Sequence, residues 1–233
     1  MRRLDDSDPR SLRYRLRRAR FARVEAILHR ILRDRPVARV IDIGGRPGYW
    51  RLLDPALRER VQVTLLNLPE ELELDHPPGP PGLAIRMLAG DATAMPEHAD
   101  GSFDLAHSNS VIEHVGLYSA MRRFAAEHRR VGRAYYLQTP NFWFPVEPHY
   151  GVPFFHWLPE PLRVGMHQRL NVGFARRAGW EDALARVDHT RMISRAMLRR
   201  LFPDARHATE RVALLPKSLI AWRDWPGPAD TPA

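Results

Sequence analysis

The chain has 233 residues, of which 44% are hydrophobic and 27% charged, with a formal net charge of +9 and no cysteine. This length suits one domain with a sizeable core, while the missing cysteines exclude disulfides, thiolate zinc sites and a cysteine nucleophile. No apolar run is long enough to span a bilayer, and Met1-Arg2-Arg3 is not followed by a signal-peptide core, so the cytoplasm is the expected compartment.

The positive charge is weak support for a nucleic-acid partner. All but Lys217 of the 36 basic residues are arginine, and they are scattered along the whole chain, a usage that fits a GC-rich coding bias better than a polyanion-binding face.

Residues 1–10 are polar and expected to fray. From Ser11 to about Arg33 the apolar positions Leu12, Leu16, Phe21, Val24, Ile27, Leu28, Ile31 and Leu32 recur at helical spacing with arginines between them, and Pro36 closes the element. This basic N-terminal helix, 1–34, is expected to pack across the main domain, with Tyr14 as a candidate to reach a pocket.

Val37 to Ile43 reads as a first strand, Tyr49 to about Arg60 as a first helix interrupted near Pro55, and Val61 to Leu66 as a second strand. The segment from Glu70 to Gly82 is acidic and then saturated with proline and glycine, which predicts a surface loop. Ala84–Leu88, Phe103–His107 and Arg133–Gln138 supply three more strands, with a helix from about Ile112 to Arg130 between the last two. Alternation of this kind predicts a parallel sheet covered on both faces.

Residues 139–168 break the pattern. Pro140, Pro145, Pro148, Pro153, Pro159 and Pro161 lie among Phe142, Trp143, Phe144, Tyr150, Phe154, Phe155 and Trp157, a composition that predicts an aromatic cover over the C-terminal edge of the sheet. Leu170–Arg186 and Ser194–Leu201 then read as helices. Arg211–Leu215 and Ser218–Trp222 read as a closing antiparallel hairpin turning at Pro216-Lys217. The tail from residue 226 to 233 is expected to be disordered.

The stretch Val40-Ile41-Asp42-Ile43-Gly44-Gly45-Arg46-Pro47-Gly48-Tyr49-Trp50 organises the rest. An apolar strand reaches a carboxylate, passes through a glycine turn and opens into a helix, the start of a nucleotide-binding unit. Ligands of open parallel sheets bind beyond the carboxyl ends of the strands. That rule brings Asp42 to Gly48, Asn67 with Leu68, Gly90-Asp91-Ala92 and Ser108-Asn109-Ser110 to one crevice.

With Gly90-Asp91-Ala92-Thr93-Ala94-Met95-Pro96, Asp100 to Leu105 and Ser110-Val111-Ile112-Glu113-His114-Val115, the glycine stretch resembles the class I S-adenosylmethionine-dependent methyltransferases, in particular the ubiquinone- and menaquinone-type group. The resemblance covers about residues 35–140 and, more loosely, the chain to Trp222. It implies a Rossmann-like, doubly wound, mostly parallel seven-stranded α/β sheet with a C-terminal antiparallel hairpin over residues 35–225. The cofactor implied is S-adenosyl-L-methionine, and the residues expected to bind it are Asp42, Gly44, Gly45, Arg46, Gly48, Asn67, Leu68, Asp91, Ala92, Asn109 and Ser110. Asp91 matches the family's adenine-binding carboxylate, a reading preferred here over that of a turn cap.

Two positions depart from the family pattern. Asn67 stands where an acidic residue usually accepts from both ribose hydroxyls, so Asn67→Asp is expected to tighten cofactor binding. Arg46 replaces a middle glycine and is a candidate for the methionyl carboxylate.

Methyl transfer needs position and orientation above all. If a base takes part, the candidates are His149, Glu147 and His114, with His156 behind them. No metal is expected, because Glu147, His149 and His156 match no trusted ligand spacing. The implied activity is methyl transfer to a small or medium-sized hydrophobic acceptor. An RNA methyltransferase, or an inert methyltransferase-fold binding module, is the alternative.

Overall fold

The computed structural model describes residues 11–226; the expectations for residues 1–10 and for the tail lie outside the described residues, the tail from residue 227 on. Helix α1 (Leu12–Asp34) starts at Ser11, whose hydroxyl accepts from the Tyr14 N–H at 3.1 Å, an N-terminal cap. It stops where Arg35 turns extended ahead of Pro36, as the steric demand of proline on the preceding residue requires.

Five parallel strands, β1 (Ala38–Ile43), β2 (Val61–Asn67), β3 (Ala84–Ala89), β4 (Phe103–Asn109) and β5 (Gly132–Pro140), are joined by two antiparallel ones, β8 (Arg206–Val212) and β9 (Leu215–Arg223), in the order β3-β2-β1-β4-β5-β9-β8. This is the predicted Rossmann-like doubly wound sheet with its antiparallel C-terminal pair. The strand order reverses between β1 and β4, and there the crevice for a ligand opens.

Both faces are covered. On one, Phe21, Val24, Ile27, Leu28 and Ile31 of α1 pack with Val40, Leu65, Leu105 and Tyr136. On the other, Met121, Phe124 and Ala125 of α3 (Tyr118–Val131) and Leu198 and Leu201 of α6 (Arg195–Leu201) pack with Ile41, Ala106, Tyr135 and Leu219. Fully burying one such side chain is worth about 1.5–3 kcal/mol. The central strands are therefore apolar on both sides, and the few polar residues left among them stand out.

The local elements correct several expectations. The helix predicted over Tyr49–Arg60 is two 3-10 helices, Pro47–Leu52 and Pro55–Arg60, because each begins on a proline and Asp54 caps the second through the Ala56 N–H at 2.9 Å. Within the loop predicted from Glu70, Pro69–Leu72 forms one helical turn, α2. The helix predicted from Ile112 is a 3-10 turn, Ile112–His114, separated from α3 by Gly116 at φ +97°.

After β5, the short strands β6 (Val146–Glu147) and β7 (Val152–Pro153) pair with each other. The helix read over Leu170–Arg186 is instead α4 (Glu160–Arg169) and α5 (Trp180–Asp188) with irregular chain between. Pro159 and Pro161, taken from sequence as breakers, sit at the N-terminus of α4, where proline is well tolerated. The hairpin pairs Val212 with Leu215, so its turn is Ala213-Leu214 and not Pro216-Lys217.

Candidate active site

Asp42 closes β1 beside His107 of β4, its register partner. One carboxylate oxygen lies 2.6 Å from His107 Nδ1, and the other accepts from Trp50 Nε1 at 2.8 Å. His107 in turn stacks on Tyr136, with ring centroids 5.6 Å apart. All of these groups are buried or nearly so, so Asp42 ties the strand end to the helix that follows the turn.

The turn's glycines differ in what they permit. Gly44 has φ +68°, and a Cβ there would strike Val111. At Gly45 a Cβ would run into the Asp42 carboxylate, whereas at Gly48 it would meet only Pro77, in ordinary contact at 3.8 Å. The turn is held from the side by Asn67, the last residue of β2, whose amide donates to the Gly45 carbonyl at 3.0 Å.

Arg46 is exposed and lies 3.4 Å from Glu71. Asp91 closes a small turn on itself, accepting from the Thr93 N–H at 2.7 Å and the Thr93 hydroxyl at 2.9 Å. Ser110 turns the end of β4 with φ +59°, its N–H and hydroxyl both donating to Gln138 of β5. Asn109 Oδ1 is buried there without a partner.

These strand ends enclose one cavity of about 1070 Å³. Its wall includes Asp42, Gly44, Gly45, Arg46, Gly48, Asn67, Leu68, Asp91, Ala92, Asn109 and Ser110, every residue that the sequence singles out for the cofactor, and adds Arg17, Tyr49, His107, His114 and His189. Tyr14, a candidate from sequence to reach the pocket from α1, packs half-buried against the core, and Arg17 one turn later faces the cavity instead.

The base candidates separate. His114 is on the cavity wall, and its ring centroid is 4.9 Å from that of His149. His149 Nδ1 lies 2.5 Å from Glu147, whose other oxygen accepts from the Tyr150 N–H at 2.7 Å. His156 is elsewhere, its Nε2 bound to the Phe142 carbonyl at 2.7 Å. No aromatic residue between 142 and 157 lines the cavity; Trp143, Phe154 and Trp157 form an exposed cluster outside it.

Sequence reasoning passed over Glu113. Its side chain is fully buried, accepts from the Thr139 hydroxyl at 2.9 Å and stands against the two histidines. Burial pushes its carboxyl up to about 7, against the backbone and Thr139 hydrogen bonds that favour its charge. Burial pulls His114 down to about 4, reinforced by His149 and opposed by a 3.1 Å contact to the His189 carbonyl. In His149 burial also disfavours the charge, but the hydrogen bond to Glu147 and the charges of Glu147 and Glu113 outweigh it and raise the pKa.

Known proteins resemble this chain in sequence and fold. Residues 16–206 match a family profile described as a methyltransferase domain. Over 66 residues, 28% of this chain, the sequence is 36% identical to the uncharacterized protein Rv1509 of Mycobacterium tuberculosis; the match spans 22% of that relative's length. Among solved structures, the PH0226 protein of Pyrococcus horikoshii is similar at a TM-score of 0.51 with 14% identity, covering 94% of both chains. A putative Zn-dependent alcohol dehydrogenase of Rhodobacter sphaeroides is similar at a TM-score of 0.50 with 14% identity, covering 85% of this chain and 86% of that one. At such identities these two structures speak to the fold alone. With the profile spanning most of its length, the chain belongs to the methyltransferase-domain family.

Proposed function

We propose that this protein transfers the methyl group of S-adenosylmethionine to a small or medium-sized, partly hydrophobic acceptor held in the cavity between the glycine turn and His114. One observation carries the reading: the eleven residues singled out for the cofactor, drawn from four strand ends, line a single cavity. At about 1070 Å³ it stands just above the range that encloses one drug-sized ligand, about 300–1,000 Å³, which leaves room for an acceptor beside the cofactor.

The reaction needs in-line approach. A lone pair of the acceptor attacks the methyl carbon, the carbon–sulfur bond breaks, the sulfonium becomes a thioether, and the acceptor loses a proton if it began with one. Holding the two reactants in that line supplies most of the acceleration. On this reading the Gly44-Gly45 turn, kept in place by Asn67, receives the methionyl part with Arg46 near its carboxylate. Asp91, Ala92 and Leu68 border the adenosine, and Asn109 and Ser110 border the sulfonium. His114 stands on the wall at the acceptor end, where the proton is lost, and the Glu147–His149 pair lies behind its ring.

A nucleic-acid acceptor fits less well. Several arginines, among them Arg20, Arg30, Arg129, Arg130 and Arg223, are held in ion pairs with Glu210, Asp224, Asp204 and Glu127 and are not free to meet phosphates.

Calorimetric titration with S-adenosylmethionine, followed by a screen of metabolite and RNA pools with methyl-labelled cofactor, tests the proposal. Micromolar binding and label on a small molecule are expected. Failure to bind at millimolar cofactor would point to an inert module, and label on RNA would replace the acceptor.

A further inference from the structure

Beside the cavity lies a group of side chains that methyl transfer does not by itself call for. Among the described residues, Glu113, His114 and His149 each bring one ligand-type atom within 4.8 Å of the others. Glu113 and His114 come from the 3-10 turn after β4, and His149 from the loop between β6 and β7.

The hydrogen bonds around the group sort its atoms. His114 Nδ1 contacts the His189 carbonyl and His149 Nδ1 contacts Glu147, so in each ring, when neutral, Nδ1 carries the proton and Nε2 offers its lone pair. Thr139 donates to Glu113 Oε2, while Glu113 Oε1 is buried without a partner. A carboxylate oxygen in that position costs free energy unless something positive meets it.

We propose that Glu113 Oε1, His114 Nε2 and His149 Nε2 bind a divalent transition-metal ion of the zinc or iron(II) class at the acceptor end of the cavity. Two imidazoles and one carboxylate are a donor set that such ions accept, and three protein ligands leave coordination positions open. Each ligand has the outer partner that metal sites use to fix ring orientation: a carboxylate for His149, a backbone carbonyl for His114, a hydroxyl for Glu113. Tetrahedral bonds of about 2.0–2.1 Å place ligand atoms about 3.3 Å apart, so binding draws the three side chains together.

His114 lies on the cavity wall, so the open position serves an acceptor oxygen or nitrogen there. His149 is then a ligand and not a free base, the role for which the sequence made it one of several candidates. The metal site stands on the cluster alone; only its role in holding the acceptor rests on the methyl-transfer reading.

The test uses the full chain, stripped with a chelator and without S-adenosylmethionine. Titration with Zn²⁺, and with Co²⁺ as a spectroscopic probe, is expected to show one equivalent bound per chain and cobalt bands of nitrogen and oxygen coordination. Glu147→Gln should weaken Zn²⁺ about 10- to 100-fold, as loss of an outer partner does, and His114→Ala or His149→Ala should weaken it more. His29→Ala, on the exposed face of α1, should leave it unchanged. If Glu113→Gln fails to fold, the two histidine variants, checked by circular dichroism, give the same answer. Absence of stoichiometric binding by the native chain, or affinities of both histidine variants within threefold of native, overturns the proposal. Metal binding without methylation would instead count against the methyl-transfer reading.

Discussion

Asn67 donates its side-chain amide to the Gly45 carbonyl across 3.0 Å, joining the end of β2 to the glycine turn that follows β1. The family pattern suggests that an acid at this position strengthens the ribose contact. The geometry turns that expectation round: Asn67→Asp would lose the only donor in the side chain and set a carboxylate oxygen against a carbonyl oxygen. An unmet carbonyl in such a place costs about 1–3 kcal/mol, so the turn should loosen and S-adenosylmethionine affinity should fall about 10-fold or more. Calorimetry on Asn67→Asp decides it; tighter binding would mean that the ribose contact outweighs the clamp.

The same turn separates two glycines that look alike in sequence. Alanine at Gly45 meets the Asp42 carboxylate and disturbs its bonds to His107 and Trp50, whereas alanine at Gly48 has room. Gly45→Ala should cost about 1–3 kcal/mol in stability, as overpacking does. Gly48→Ala should stay within about 0.5 kcal/mol of the native chain. Denaturant unfolding of the two variants side by side tests the assignment, and equal losses would refute it.

The sheet was legible because its five parallel strands are short apolar runs and the residues at their ends are of unusual type for such runs: Asp42, Asn67 and Asn109. What was not legible depended on partners far along the chain. The apolar spacing after Leu170 suggests a helix, but Gly173 at φ +56° and Gly179 interrupt it, and the helix forms earlier, on Glu160–Arg169. Glu113 sits in plain view next to His114, yet its meeting with His149 requires β5 and the following loop to fold back, and no spacing rule encodes that. Asp91 shows a third case: the residue is where it was expected, but its carboxylate also holds its own turn through Thr93.

His128 gives the fold an acid-sensitive point. The ring is fully buried among Phe124, Tyr135 and Phe202, neither nitrogen has a partner, and burial, with the charges of His107 and Arg223, pulls its pKa down to about 3. In the unfolded chain histidine titrates near about 6.5. The unfolded state therefore binds the extra proton between these values, so this contribution is full above about pH 6.5 and is lost as pH falls toward 3. One such group tilts the unfolding free energy by about 1.4 kcal/mol per pH unit. Unfolding curves between pH 6.5 and 4 should be less steep in pH for His128→Leu by about that amount, and identical slopes would rule the residue out.

The β8–β9 hairpin carries backbone strain that can be relieved. Its two-residue turn, Ala213-Leu214, has φ of +46° and +72°, the left-handed region at both positions, and Leu214 is 89% exposed. Two-residue turns of this hand favour asparagine and glycine because a Cβ is penalised there, by about 1–2 kcal/mol for a left-handed residue. Leucine at 214 meets that penalty and, being so exposed, has little apolar burial to offset it. Leu214→Gly should raise stability by about 1 kcal/mol even after the greater freedom of glycine in the unfolded chain is counted. Ala213→Asn should add a smaller gain in the same direction. If Leu214→Gly lowers the denaturant midpoint, then the leucine side chain supports the turn through contacts that its exposure does not reveal.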